Sequence, residues 1–175
     1  MVTLVVATIV MTTAVPGFRK MIQDNQLITG ANELVSALHL ARNEAIKRGE
    51  RVTVCKSANG TSCAGSGGWE QGWIVFNDPA NPGVVDGNES VLRIHGALNS
   101  SQTLRGNNNV ANRVSFLAGG FAGGTNGQLI VCDDRARNDF DGQKADSRVV
   151  IISTLGRPRI VKGDDPDVTL NSCSP

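Results

Sequence analysis

The chain has 175 residues, which is enough for one domain with its own core and a long helix. Its formal net charge is only +1, so no overall excess of charge draws it to nucleic acid or lipid, and any anion-binding site must be a local patch. The chain has no tyrosine, and its 20 glycines suit a loop-rich β domain.

The first predicted element is a helix that begins in the uncharged stretch Met1–Val15. A helix without a polar face is buried either in protein or in lipid. Crossing a bilayer takes about 20 apolar residues, so we expect this stretch to be part of a membrane helix that starts before Met1. A helix buried in the protein core is the alternative. A secretory signal peptide is a poor interpretation, because the stretch has no basic leader and continues into an amphipathic helix.

We expect the helix to kink or break at Pro16 and Gly17. Beyond them, apolar residues recur three and four positions apart and form a single stripe, comprising Leu27, Ala31, Leu34, Leu38, Ala41 and Ala45. Gly49 suits the left-handed residue that ends a helix.

The rest of the chain alternates short apolar runs with turn-forming residues, which predicts antiparallel strands. The predicted strands are Arg51–Lys56, Trp73–Phe76, Val91–His95, Arg113–Leu117, Gln128–Cys132 and Arg148–Thr154, with a last short strand near Ile160 and Val161. One helix followed by strands indicates an α+β fold with the helix on one sheet face. The predicted parts are an apolar helix segment (1–17), an amphipathic helix (18–49) and a β-rich globular domain (50–175).

The four cysteines are Cys55, Cys63, Cys132 and Cys173. Zinc binding is a poor interpretation, because no C-x-x-C spacing exists and the two histidines, His39 and His95, lie far apart in sequence. An even count beside a membrane-anchoring segment favours disulfides in an oxidising compartment. Three pairings are possible. The short loop between Cys55 and Cys63 favours a local bridge, which leaves Cys132 to pair with Cys173.

No catalytic group is evident, because neither histidine has a credible serine or cysteine partner and no pair of acids is placed for acid–base work. We therefore predict a non-enzyme without a cofactor. The charged segment Arg135–Asp146 fails the calcium-loop pattern at both ends. A mobile loop is the preferred interpretation there, with calcium binding in another geometry as the alternative. Trp69 and Trp73 could stack on nucleic acid bases, although a core role is favoured for at least Trp73.

Six segments, in order along the chain, carry a resemblance to the GspH/FimT family of minor pilins and pseudopilins: Ala14–Phe18, Asn32–Leu34, Ala41–Ala45, Gly68–Phe76, Gly127–Cys132 and Gly156–Arg159. The resemblance implies a type IV pilin-like fold, with a long N-terminal helix packed on antiparallel sheet. It also implies processing by a prepilin peptidase, although the family's processing signal is absent from this sequence. The implied location is the inner membrane, with the globular domain in the periplasm, before incorporation into an extracellular pilus with other pilins.

Within the family, the chain more closely resembles FimT-type minor pilins, some of which are implicated in DNA uptake through a Gly-Arg-x-Arg motif. Gly156, Arg157 and Arg159 match that motif, and Lys162 follows it. The resemblance implies non-specific contact with the DNA backbone at these residues and a role in natural transformation. A GspH-like pseudopilin of type II secretion, with protein partners only, is the alternative, because the scaffold does not choose between them.

Overall fold

The computed structural model describes residues 2–80, 83–86, 89–170 and 172–173, and it describes side chains from Gly17 onward. One helix, α1 (Val2–Arg48), runs through Pro16 and Gly17 without interruption. The predicted helix break is therefore wrong. An internal proline removes one backbone hydrogen bond, and the turns on both sides keep theirs. Gly49 follows with a φ of +68°, as expected for the residue that ends a helix.

The membrane interpretation of Met1–Val15 concerns side chains that lie outside those the structure describes. Within the described chain, no helix combines the length and the hydropathy needed to cross a membrane.

In the described residues, eight strands follow the helix and form two four-stranded antiparallel sheets. The first sheet has the order β3-β2-β1-β5 and contains β1 (Val52–Lys56), β2 (Trp73–Asn77), β3 (Val91–His95) and β5 (Arg113–Phe116). The second has the order β4-β6-β7-β8 and contains β4 (Thr103–Gly106), β6 (Gly127–Cys132), β7 (Arg148–Ile152) and β8 (Pro158–Lys162). The α+β class and the helix packed on antiparallel sheet are confirmed. The short strand β4 was not predicted from the sequence.

The main core lies between α1 and the inner faces of both sheets. The predicted apolar stripe of α1 is fully buried there, together with Val54, Trp73 and Val75 of the first sheet and Leu129, Val131 and Val150 of the second. Trp69 is also fully buried, and its indole N–H donates to the Val110 carbonyl at 3.0 Å. Both tryptophans are core residues, so the base-stacking alternative is wrong.

The segment Arg135–Asp146 is ordered, which contradicts the predicted mobile loop. The short helices α2 (Asp134–Asn138) and α3 (Phe140–Gln143) cover most of it. Arg135 holds the segment, because its guanidinium donates to Asp133 at 2.7 Å and to Asp24 of α1 at 2.8 Å. Asp139 caps α3 by accepting from the Gly142 N–H at 3.2 Å. No group of metal-ligating side chains occurs in the described residues.

Two disulfides staple the outer faces of the sheets, the faces that point away from α1. Cys55 of β1 is bonded to Cys63, and Cys132 of β6 is bonded to Cys173 in the C-terminal tail. These are the same two pairs that the sequence favoured. The second bond draws the tail across the outer face of the second sheet, where Cys173 packs with Ile130 and Val149.

Candidate nucleic-acid interface

The turn that carries the Gly-Arg-x-Arg motif joins β7 to β8. The turn closes through two backbone hydrogen bonds, from Ser153 N–H to the Arg157 carbonyl at 3.2 Å and from Gly156 N–H to the Ser153 carbonyl at 2.8 Å. Gly156 is buried and has a φ of +71°, a conformation that favours glycine. A Cβ at Gly156 would also collide with the carbonyl oxygen of Gly120. Both the backbone conformation and the close packing therefore require glycine here.

Arg42 of α1 holds this turn and the neighbouring loop in place through side-chain hydrogen bonds. Its Nε donates to the Gly120 carbonyl at 3.0 Å, and its guanidinium also reaches the Leu155 carbonyl at 3.4 Å. The Ala122 N–H donates to the Thr154 carbonyl at 3.1 Å, which ties the glycine-rich loop after β5 to the same turn. This role of Arg42 was not predicted from the sequence. Arg42 is not part of the apolar stripe, and periodicity alone cannot tell which loop a polar helix residue will meet.

Arg157 and Arg159 share one face of the β7–β8 hairpin. Arg159 lies opposite Ile151 in the strand ladder, and Arg157 lies opposite Ser153 just beyond it. Because side chains alternate along a strand, both arginines point to the outer face of the second sheet. Both are exposed, and within the described chain the Arg157 guanidinium has no hydrogen bond or ion pair.

Lys162 does not join the two arginines. It lies opposite Arg148 at the far end of β8, three residues beyond Arg159. The same alternation places it on the other face of the strand, with Ile160, which packs on the core beneath α1. The structure therefore separates Lys162 from the predicted site.

The two arginines border an open groove of about 420 Å³, which we call the turn groove. Its apolar lining consists of Ile151, Leu155 and Pro158, and its polar lining consists of Ser153, Arg157 and Arg159. Leu155 is 47% exposed and lies beside the two arginines. The surface thus combines apolar contact area with positive charge.

Asp167 in the tail is a functional candidate that sequence analysis missed. Its carboxylate accepts a hydrogen bond from the Arg159 guanidinium. The Gln128 side chain holds the tail in this position, since it donates to the Asp167 carbonyl at 2.7 Å and accepts from the Thr169 N–H at 2.9 Å. Arg159 is therefore neutralised in part by its own chain, whereas Arg157 is not.

The two histidines lie in different environments. His95 stacks on Trp73 with ring centroids 3.9 Å apart, and its Nε2 lies 3.2 Å from a carboxylate oxygen of Glu33. His39 is exposed on α1.

Comparison with known proteins adds evidence on family and fold. The profile of the family described as "Type II transport protein GspH" matches residues 30–156. The match ends at Gly156, so Arg157 and Arg159 lie just beyond it. A search of curated proteins finds no match.

Solved structures of two proteins resemble the chain. The type IV minor pilin FimU of Pseudomonas aeruginosa has 22% sequence identity and a TM-score of 0.63, and the alignment covers 86% of this chain and 96% of that one. The minor pseudopilin EpsH of the type 2 secretion system of Vibrio cholerae has 16% identity and a TM-score of 0.53, with coverage of 80% and 99%. Identities this low establish a shared fold and leave the choice between pilus and secretion system open.

Proposed function

Because the chain belongs to the GspH family of type IV pilin-like proteins, we propose that it is a minor pilin that binds DNA non-specifically through Arg157 and Arg159. The family accounts for the scaffold, and the turn accounts for the binding. The observation that carries the proposal is the exposed, unpartnered guanidinium of Arg157 beside Arg159 on one face of an ordered hairpin.

Arginine at these positions suits phosphate contact. Its planar fork can donate two parallel hydrogen bonds to one phosphate group. Gly156 and Arg42 fix the turn, so little backbone entropy is lost on binding. Phosphate contacts position a protein without reading bases, so binding has little sequence preference. With a near-neutral chain, the dissociation constant is expected in the non-specific range of about 10⁻⁴–10⁻⁶ M at physiological salt.

In this proposal the protein acts as a structural and binding subunit without enzymatic activity. Its N-terminal helix packs with the helices of other pilins in a filament, after residence in the inner membrane and processing by a prepilin peptidase. The globular domain occupies the periplasm and then the surface of the pilus, where the turn meets DNA during natural transformation.

A GspH-like pseudopilin of type II secretion, with protein partners only, is the second candidate. The observation that favours it is the acidic tail, in which Asp164, Asp165 and Asp167 follow β8 and Asp167 pairs with Arg159. Carboxylates near the arginines repel a polyanion, and they can help to select a basic or apolar protein surface.

The test is a titration of duplex DNA at several salt concentrations with the full chain in a nonionic detergent. The parent is compared with Arg157→Gln and with Arg113→Gln, a matched control that removes an exposed arginine from the first sheet. Arg157→Gln is expected to weaken binding and to make the dependence of log affinity on log salt shallower by about 0.9. Arg113→Gln is expected to change neither. Equal affinity and equal salt slope in all three proteins would favour the secretion candidate.

A further inference from the structure

The turn groove has more apolar surface than phosphate binding needs. Two guanidinium groups on a polar turn would suffice to grip a DNA backbone, yet the groove between them is lined by Ile151, Leu155 and Pro158. Sites for small ligands typically combine an apolar lining with a few polar or charged groups that fix the orientation of the ligand. The chemistry of the groove therefore calls for a ligand that is both anionic and flat or apolar.

A nucleobase carried on a phosphate backbone has this combination of properties. Its faces are apolar enough to stack on aliphatic and guanidinium surfaces, and the flanking phosphates are anionic. In duplex DNA both faces of every base are hidden in the stack, so a duplex can offer the groove only its phosphates. Single-stranded DNA, or a frayed duplex end, exposes bases that can enter.

We propose that the turn groove binds one unstacked base of single-stranded DNA, with Arg157 and Arg159 contacting the phosphates on either side of it. This inference rests on the proposed function, because it names the form of DNA that the same arginines bind. The groove volume of about 420 Å³ lies within the range of about 300–1,000 Å³ that is usual for small-ligand sites.

The charges and contacts of the groove support an anionic occupant. Its described lining contains two cations and no carboxylate. The carboxylate of Asp167 touches Arg159 from the tail side, so Arg157 is the more available cation and the base enters beside it. The contacts of Gly156 and Arg42 with Gly120 keep the turn in one conformation, which leaves Leu155 in place as a contact surface before any ligand arrives.

The experiment compares a labelled single strand with a duplex of the same length, using fluorescence anisotropy and the full chain in nonionic detergent. Stacking of one base on an aromatic side chain is worth about 1–3 kcal/mol. The groove offers aliphatic and guanidinium surfaces instead, so we expect the lower end of that range, with the parent binding the single strand about 5-fold more tightly than the duplex. A single strand with abasic sites keeps the phosphates and lacks bases, and it is expected to bind no better than the duplex.

Two leucine variants locate the base-binding surface. Leu155→Ser removes the apolar side chain from the groove and is expected to abolish the preference for single strands, measured as the ratio of the single-strand and duplex affinities of that variant. Leu117→Ser is the matched control, because Leu117 is 44% exposed in the neighbouring loop and does not line the groove. It is expected to keep the preference. Thermal melts establish that each variant is folded.

The outcomes separate the inference from the function beneath it. If neither form of DNA binds in a way that depends on Arg157, both fail. If duplex binding depends on Arg157 but the single strand binds no more tightly, or the abasic strand binds as well as the normal one, only the base-binding inference fails. It also fails if Leu155→Ser keeps the preference for single strands, which would leave the apolar lining of the groove to another occupant, such as a neighbouring subunit.

Discussion

The outer faces of the two sheets are covered in the same way but to different extents. On the first sheet, the Cys55–Cys63 bond lies over a cluster that contains Ile74 and Phe76. On the second, the Cys132–Cys173 bond draws the tail over Ile130 and Val149. Each cover is thus a polar segment held by one disulfide on an apolar sheet face.

The two covers differ in whether the charged groups beside them are buried or exposed. On the first sheet, the fully buried carboxylate of Asp78 accepts hydrogen bonds from the Thr53 hydroxyl and, at 2.9 Å, from the Gly83 N–H. The partners of this carboxylate are therefore groups of the fold itself. On the second sheet, the tail covers the face only as far as Gln128 and Arg159, and Leu155 and Arg157 remain open beyond it. The available surface is therefore found where the cover ends.

The largest predicted difference between the two faces is in the disulfides. Cys132 and Cys173 are 41 residues apart, and Cys55 and Cys63 are 8 apart. By the chain-entropy relation, replacing both cysteines of the longer loop by alanine should cost about 4 kcal/mol of unfolding free energy, and replacing the shorter pair about 2.5 kcal/mol. Urea unfolding of the two double variants measures this. If the two double variants lost equal unfolding free energy, the chain-entropy explanation would be contradicted.

A second prediction concerns the turn that the tail leaves open. Gly156→Ala should cost about 1–3 kcal/mol, because a left-handed residue gains a Cβ that meets the Gly120 carbonyl, and it should also weaken DNA binding. Gly124→Ala is the control, since Gly124 has a similar φ of +76° and open space around it. Thermal unfolding and DNA titration of both variants separate the collision from the conformational strain. A Gly124→Ala cost as large as that of Gly156→Ala would show that the contact with Gly120 contributes nothing.

The smallest predicted effect tests the edge of the tail cover. Exposed ion pairs are worth about 0–1 kcal/mol, so Asp167→Asn, which frees Arg159, should tighten DNA binding by up to about 5-fold. Asp164→Asn makes the same change of charge nearby, without a contact to the arginines, and should tighten it less. Adding Arg159→Gln to Asp167→Asn should remove the extra gain. The competition between carboxylate and phosphate would be refuted if the two aspartate variants had equal affinities.

Local patterns in the sequence predicted much of the fold. The stripe from Leu27 to Ala45 identified the buried face of α1, because a helix that packs on a core must present one apolar side. The strands β1, β6 and β7 were predicted because apolar runs bounded by turn residues are local features. The chain order of one helix followed by strands then predicted the fold class, and the spacing of the cysteines favoured the two pairs that are bonded.

Tertiary structure alone decided which distant residues meet. The sequence brought Gly156, Arg157 and Arg159 together because they are neighbours, and it added Lys162, which strand alternation turns to the opposite face. It could not predict that Arg42 reaches Gly120 or that Asp167 returns to Arg159, since both contacts join segments whose approach depends on how the helix, the sheets and the tail pack. Periodicity determines which side of an element is buried, whereas the partner of a polar side chain is set by long-range packing.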